Sequence, residues 1–370
     1  MSLTQETTQQ VLGRCRALGF ALAGVAEAQP TSYEHQYRTW IEAGKHGEMA
    51  YLAQNVEKRL DVRTMIPGAG AKSIICVADR YGGEGEGTEA RPRKRHEGTK
   101  GGEEQPSDET LTGRIARYAR GDDYHVVMKK RLHRLADELA EQFPDETFRV
   151  CVDTAPVLER EHAQRAGLGA VGKHTLLIQE GVGSYVLLGE IITTLALAPT
   201  PSAEGADPCG SCTRCIDACP TSAITPWSVD ATRCISYLTI EHRSPIGEQF
   251  HEAMGDWIFG CDICQEVCPH NQPTARSAQA ESHDAYAPRR EGFDLLAVLG
   301  WDEGARRAMF RTSPMKRAKL AMMKRNALIA AGNVKGNADC NALRAQIEAI
   351  AQDESECEIV RTTAEVVLKG

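Results

Sequence analysis

Apolar residues recur along this chain with two different periods. A helix-like spacing runs from Gln5 to Leu18, and the short apolar run Phe20–Val25 then reads as a strand. Tyr33 to Leu52 is again helical in pattern, broken by Gly44-Lys45-His46-Gly47, whereas Ser73–Ala78 is an unbroken apolar run typical of a buried strand. Residues 82–112 are rich in Gly, Glu, Lys and Arg and poor in apolar side chains, which predicts a mobile loop. The globular pattern resumes at Ile115, with a helix from Val126 to Gln142 and a strand from Phe148 to Val152. Pro156 to Gly167 predicts a helix with proline in its first turn and glycine at its end. Two strand-like runs follow, Thr175–Ile178 and Tyr185–Thr194, joined by Gly181-Val-Gly183. From about 291 the pattern is purely helical, with amphipathic stretches at Arg307–Ala331 and Asp339–Leu368 that resemble HEAT-like helix pairs.

The spacing of the cysteines changes this picture most. Cys209, Cys212, Cys215 and Cys219, followed by Pro220, have the bacterial ferredoxin spacing. Cys261, Cys264 and Cys268, followed by Pro269, are the last three positions of the same pattern. The first position of that second run is Ile258, and Cys234 can fill the vacancy, so eight thiolates remain for two four-iron clusters. In two-cluster ferredoxins the cysteine before proline ligates the other cluster. That rule gives Cys209, Cys212, Cys215 and Cys268 to one cluster, and Cys219, Cys234, Cys261 and Cys264 to the other. Structural zinc sites use separated CxxC pairs, and disulfide frameworks belong to short secreted chains, so neither fits as well.

A length of 370 residues predicts two or three domains. The patterns together give an α+β protein: a mixed first domain over 1–198, a ferredoxin module over 199–275 and a helical region over 276–370. The polar, amphipathic N-terminal stretch is neither a signal peptide nor a twin-arginine signal, and no apolar run reaches the roughly 18 residues of a membrane span. With reduced cysteines, this leads us to expect a cytoplasmic protein with no membrane partner. The net charge of −8 excludes a uniformly basic nucleic-acid binder. One local stripe is nevertheless basic and free of acids, comprising Arg306, Arg307, Arg311, Lys316, Arg317, Lys319, Lys324 and Arg325. By charge alone it fits a solvated helix face as well as a polyanion contact.

Several short motifs fail on context. Gly167-Leu-Gly169-Ala-Val-Gly172 matches GxGxxG, but a helix precedes it and a strand follows, the reverse of a dinucleotide site. With Lys173 it approaches a P-loop, but His174 stands where a magnesium-ligating hydroxyl is required. Asp123-Tyr-His125 comes near a histidine-ligating cobalamin signature, but Met128 replaces its glycine. Asp153 ends a strand ahead of a helix. Taken alone it reads first as a helix cap and second as a partly buried acid of raised pKa.

Arg114–His125, Val152–Pro156, Gly172–Ile178, Gly183–Glu190, the cysteine arrangement and Lys324–Asn333, in this order, resemble the epoxyqueuosine reductase family over nearly the whole chain. That resemblance implies an N-terminal cobalamin-binding domain, two [4Fe-4S] clusters and a HEAT-like region. The implied reaction is the reduction of the epoxide of epoxyqueuosine at the tRNA wobble position. It implies Asp153 as the proton donor, and the missing histidine signature fits base-off cobalamin. By the same resemblance Arg59, Arg63, Lys173, His174 and Thr175 face cobalamin, while Arg117, Tyr118, Tyr124 and His125 line the substrate side. Lys316, Arg317, Lys319, Lys324 and Arg325 become contacts to the tRNA backbone. Ala116 stands where some relatives can carry a cysteine, so no cysteine role transfers there. An external low-potential electron donor is required, and a monomer is expected. The rivals are a cobalamin-dependent reductive dehalogenase and a plain electron-transfer protein.

Overall fold

The structure is a computed structural model that describes residues 2–82, 111–272, 282–334 and 339–369. From 83 to 110 the expected loop lies outside the described residues. The first helix, Leu3–Ala17, begins with a capping box in which Ser2 and Gln5 satisfy each other's backbone N–H groups. It packs on a four-stranded sheet ordered Leu22–Glu27, Ser73–Arg80, Val186–Thr193, Phe148–Cys151, every pair antiparallel.

Helices cover both faces of this sheet, which explains why Ser73–Ala78 carries no polar alternation. Ile75 and Val77 face the first helix and the helix Tyr124–Gln142, in one core with Val11, Leu132, Leu135 and Ile191. Ile74, Cys76 and Ala78 point the other way, toward Ala163 and Ala166 around the helix Glu159–Arg165. That helix starts three residues after Pro156, so the proline sits in the preceding loop rather than the first turn. The strand expected over Thr175–Ile178 shortens to Leu177–Ile178, because Thr175 occupies a turn at φ 68°.

A second, three-stranded sheet draws on distant parts of the sequence. Thr112–Ile115 lies between Trp257–Phe259, parallel to it, and Gly292–Asp294, antiparallel to it. The region after 291 is therefore not purely helical. Gly292 belongs in a strand because a Cβ there would lie 2.3 Å from the Gly113 carbonyl. The stretch Arg307–Ala331 is likewise broken. Pro314 holds Ser313 extended and opens a 3-10 turn, Pro314–Arg317, before the helix Leu320–Gly332 begins. Asp353 accepts hydrogen bonds from the Ser355 N–H and hydroxyl, ending the helix Asp339–Gln352 ahead of Glu358–Lys369.

The C-terminal helices share one core with the small sheet, including Ile115, Ile258, Phe259, Phe293, Met323, Leu328 and Val360. Two buried polar residues fasten that core to the cysteine-bearing region. Arg325, 0% exposed, donates to the carbonyls of Leu238, His242 and Ser244. Asn326 donates to those of Thr239 and Ile258.

Arg325→Met would leave the buried Leu238 carbonyl and the part-buried carbonyls of His242 and Ser244 without this donor. It should destabilise the chain by about 2–4 kcal/mol, read as a lowered unfolding midpoint in denaturant. A change within about 0.5 kcal/mol, the usual scale of a surface substitution, would show that the clamp does not hold the two regions together.

Candidate active site

The cysteine loops are shaped by short-range hydrogen bonds. Asp207 accepts from the N–H groups of Cys209 and Gly210, at 2.9 and 3.1 Å, and Gly210 takes the left-handed φ of 49° that the tight loop requires. Cys209, Cys212, Cys215 and Cys268 line one cavity together with His174, Arg214, Pro269 and His270. Cys219, Cys234, Cys261 and Cys264 form a second neighbourhood, in which Cys234 interacts electrostatically with Cys219 and both Cys261 and Cys264 interact with Cys234. Ile258 is wholly buried in its strand, which is why no ligand could stand there, and Gly260 then turns the chain at φ 70° against Ala116. All described cysteines are free thiols. Among the described residues no three His, Cys, Asp or Glu side chains converge on one point. Thiolates that bind four separate irons need a cage rather than such a point.

Asp153 does not cap a helix, since the next helix begins six residues later with no side-chain cap at all. Instead it sits at φ 56°, a left-handed conformation that aspartate tolerates, in a three-residue turn closed by the Thr154 N–H on the Val152 carbonyl at 2.6 Å. Its own N–H donates to Glu159 Oε1 at 2.5 Å. Its carboxylate lies 3.0 Å from His125 Nε2, while His125 Nδ1 is 2.8 Å from Asp123 Oδ1. The Tyr124 ring stacks on His125 at 4.0 Å, and Tyr118 meets Tyr124 edge-on.

The charges of this group differ from the sequence expectation. Burial raises the Asp153 carboxyl, but the hydrogen bond from His125 and the charges of His125, Arg317 and Lys129 outweigh it and hold the group below its ordinary value. The expected raised pKa is therefore corrected. Burial works against a charged His125, yet its bonds to Asp123 and Asp153 prevail and push it up to about 9. The proton of the pair resides on the imidazole. Glu159, behind the turn, is pushed up to about 8 by burial, with Glu190 and Asp153 adding.

The residues expected against cobalamin scatter. Lys173 is buried and its ammonium donates to the carbonyls of Gly210 and Cys212, at 2.6 and 3.0 Å, so it holds the first cysteine loop and cannot face a cobalamin amide. His174 lines the first cysteine cavity. Thr175 accepts from Arg160 through its carbonyl and hydroxyl. Arg63 makes a bidentate pair with Asp61 beside it, at 2.8–3.2 Å, which occupies its fork. Arg59 keeps a buried Nε with no partner, while its Nη2 donates to the Tyr51 carbonyl at 3.5 Å.

The basic stripe also divides. Arg325 is enclosed and Lys324 is nearly so, paired with Glu356 at 2.6 Å, so neither can reach a phosphate. Both fall on the inward side of the Leu320–Gly332 helix, a distinction invisible to charge counting. Arg306 is mostly buried against Glu303. Lys316, Arg317 and Lys319 are exposed, as are Arg307 and Arg311. Lys316 lies 3.8 Å from Asp123, and Arg317 pairs with Glu241 while interacting with Asp153 and Tyr118.

Three residues of this neighbourhood escaped the sequence reading. Tyr51 interacts with Glu241, Arg317 and Asp153. Glu159 and Arg160 looked like ordinary charges of a helix start, where acids are expected anyway. Only the folded turn brings them to Asp153 and Thr175.

Comparison with known proteins gives a consistent result. Residues 59–154 match the family profile described as epoxyqueuosine reductase QueG, DUF1730, and residues 208–271 match a 4Fe-4S double cluster binding domain. An epoxyqueuosine reductase of Alicycliphilus denitrificans is 38% identical over 360 residues, 96% of each chain. The crystal structure of an epoxyqueuosine reductase with an epoxyqueuosine-modified tRNA-Tyr stem loop superposes with a TM-score of 0.82 at 25% identity, over 98% of this chain and 89% of that one. The structure of epoxyqueuosine reductase from Streptococcus thermophilus superposes at 0.77 and 25% identity, over 98% of both.

Because the folded value of His125 lies above the ordinary 6.5, its contribution to stability is full below pH 6.5 and is lost as pH rises through about 9. An NMR titration of the labelled His125 ring should therefore show a midpoint near 9, falling toward 6.5 when Asp123→Asn and Asp153→Asn are combined. A wild-type midpoint near 6.5 would contradict the pairing.

Proposed function

The chain belongs to the epoxyqueuosine reductase family, and from that premise we propose that it reduces the epoxide of epoxyqueuosine in tRNA, with the His125–Asp153 pair supplying the proton. The observation that carries this reading is Asp153 itself. It is an acid on a left-handed turn, 3.0 Å from a protonated imidazole and beside the aromatic pair Tyr118 and Tyr124. Family membership sets aside the dehalogenase and the plain electron carrier, because the relatives are named as reductases of a tRNA nucleoside.

Converting the epoxide to an alkene with loss of water requires two electrons and two protons. Two [4Fe-4S] clusters held in this chain would supply electrons singly, and cobalamin would supply low-potential two-electron chemistry at the carbon–oxygen bond. Eight thiols in two groups of four fit the clusters, with Cys209, Cys212, Cys215 and Cys268 as one ligand set and Cys219, Cys234, Cys261 and Cys264 as the other. The unpartnered, buried Arg59 Nε fits an acceptor on cobalamin.

The protein's own part is proton delivery. His125 holds a proton against Asp153 Oδ2, and Asp123 on the far ring nitrogen keeps the imidazole charged and oriented. Negative charge developing on the epoxide oxygen draws the first proton through Asp153, His125 replaces it, and the second proton, which completes the departing water, comes from solvent. Tyr118 and Tyr124 supply faces on which an unstacked base can lie. Exposed Lys316, Arg317 and Lys319, in the turn that leads into the Leu320–Gly332 helix, contact the tRNA backbone, and the paired helices that follow are read as a HEAT-like unit. The electrons come from an external donor.

Asp153→Asn should lower turnover of epoxyqueuosine-containing tRNA by about 100-fold or more while tRNA affinity stays unchanged. Replacing Lys316 and Lys319 together by alanine should weaken affinity and flatten its salt dependence. Full turnover by Asp153→Asn would remove the acid role, and unchanged salt dependence would remove the backbone contacts.

A further inference from the structure

The Gly172-Lys-His-Thr175 turn, which looked like a phosphate loop in the sequence, is folded against the first cysteine cavity. The Lys173 backbone N–H points at Cys209 Sγ, 3.3 Å away. His174 follows, 3% exposed, and is one of the residues lining that cavity with Cys209, Cys212, Cys215 and Cys268. Its Nδ1 accepts the Leu176 backbone N–H at 3.2 Å, and since a backbone amide can only donate, the ring's proton must be on Nε2. That Nε2 is buried and has no acceptor in the protein. The other imidazole on the cavity is already engaged, because His270 Nε2 bonds the Pro208 carbonyl at 2.8 Å. Gly172 leaves room for the arrangement, since a Cβ there would lie 3.3 Å from His174 Cε1 and 2.5 Å from Ile178 Cδ1.

A buried N–H without a partner is rare, because it loses its hydrogen bonds to water with nothing in exchange. The chemistry that would satisfy this one is an electron-rich sulfur in the space enclosed by the four thiols. We propose that His174 donates its Nε2–H to a sulfur of the iron–sulfur cluster held by Cys209, Cys212, Cys215 and Cys268, and thereby raises the reduction potential of that cluster alone. The inference rests on the cluster reading above. Its physical basis is that reduction adds negative charge to the sulfurs, so a donor aimed at one of them stabilises the reduced form more than the oxidised form. His174 lines the cavity of the first group, so its effect falls on the cluster held there. His174 is a positioning and tuning residue and does not touch the substrate.

The test uses the full chain, purified anaerobically, with iron counted first and the clusters then titrated by EPR. His174→Phe removes the donor, and His174→Gln retains one. In the Phe variant the first cluster should become about tenfold harder to reduce, equivalent to about 59 mV for one electron, with Gln between Phe and wild type and the second cluster unmoved. In wild-type protein carrying 15N-histidine, the reduced first cluster should show a nitrogen hyperfine coupling, which needs no variant to fold. About eight irons per chain with neither the shift nor the coupling would overturn the role of His174 alone. An iron count of about four or fewer would overturn the cluster reading and this inference together.

Discussion

The hydrogen bond between His125 Nε2 and Asp153 Oδ2 joins the start of one long helix to a strained turn at the end of a strand, and the chemistry of the site depends on it. Without it the desolvation felt by Asp153, whose side chain remains 43% exposed, would be opposed only by the charges of Arg317 and Lys129. With it the carboxyl is held below its ordinary value and the proton of the pair lies on the ring. Asp123 extends the same logic. It caps the helix through the His125 N–H and also holds the ring's other nitrogen, so one carboxylate fixes both the backbone and the imidazole.

The cysteine-bearing segment is built into the enzyme rather than appended to it. A three-stranded sheet combines residues 112–115, 257–259 and 292–294. Arg325 and Asn326 tie the C-terminal helix to the carbonyls around 238–244 and 258. Thr239 continues the link by accepting the Gly260 N–H immediately before Cys261. A shift of the Leu320–Gly332 helix would therefore be felt at Cys261 through the buried bonds at Leu238, Thr239, Ile258 and Gly260.

The cysteine groups were legible because their information is local: the thiolate spacing within short loops needs no knowledge of the tertiary fold. Asp153 was legible as an acid at a strand end, but its protonation was not, because that is set by His125, 28 positions away in sequence. Lys173 and Arg325 were misread for a common reason. Both satisfy their charge with backbone carbonyls, which every residue carries and no sequence pattern marks. The long C-terminal helix was misread because hydrophobic spacing survives across Pro314, although the proline cannot continue the backbone bonding.

The central claim is that the proton delivered to the substrate oxygen is the one held between His125 and Asp153. Single-turnover rates, measured from pH 6 to pH 10 on enzyme already reduced and loaded with epoxyqueuosine-containing tRNA, test it most directly. The account predicts a rate that falls with a midpoint near 9 in the wild type and loses that limb in His125→Gln. A wild-type rate that is flat through pH 9, or a limb unchanged in the variant, would contradict it.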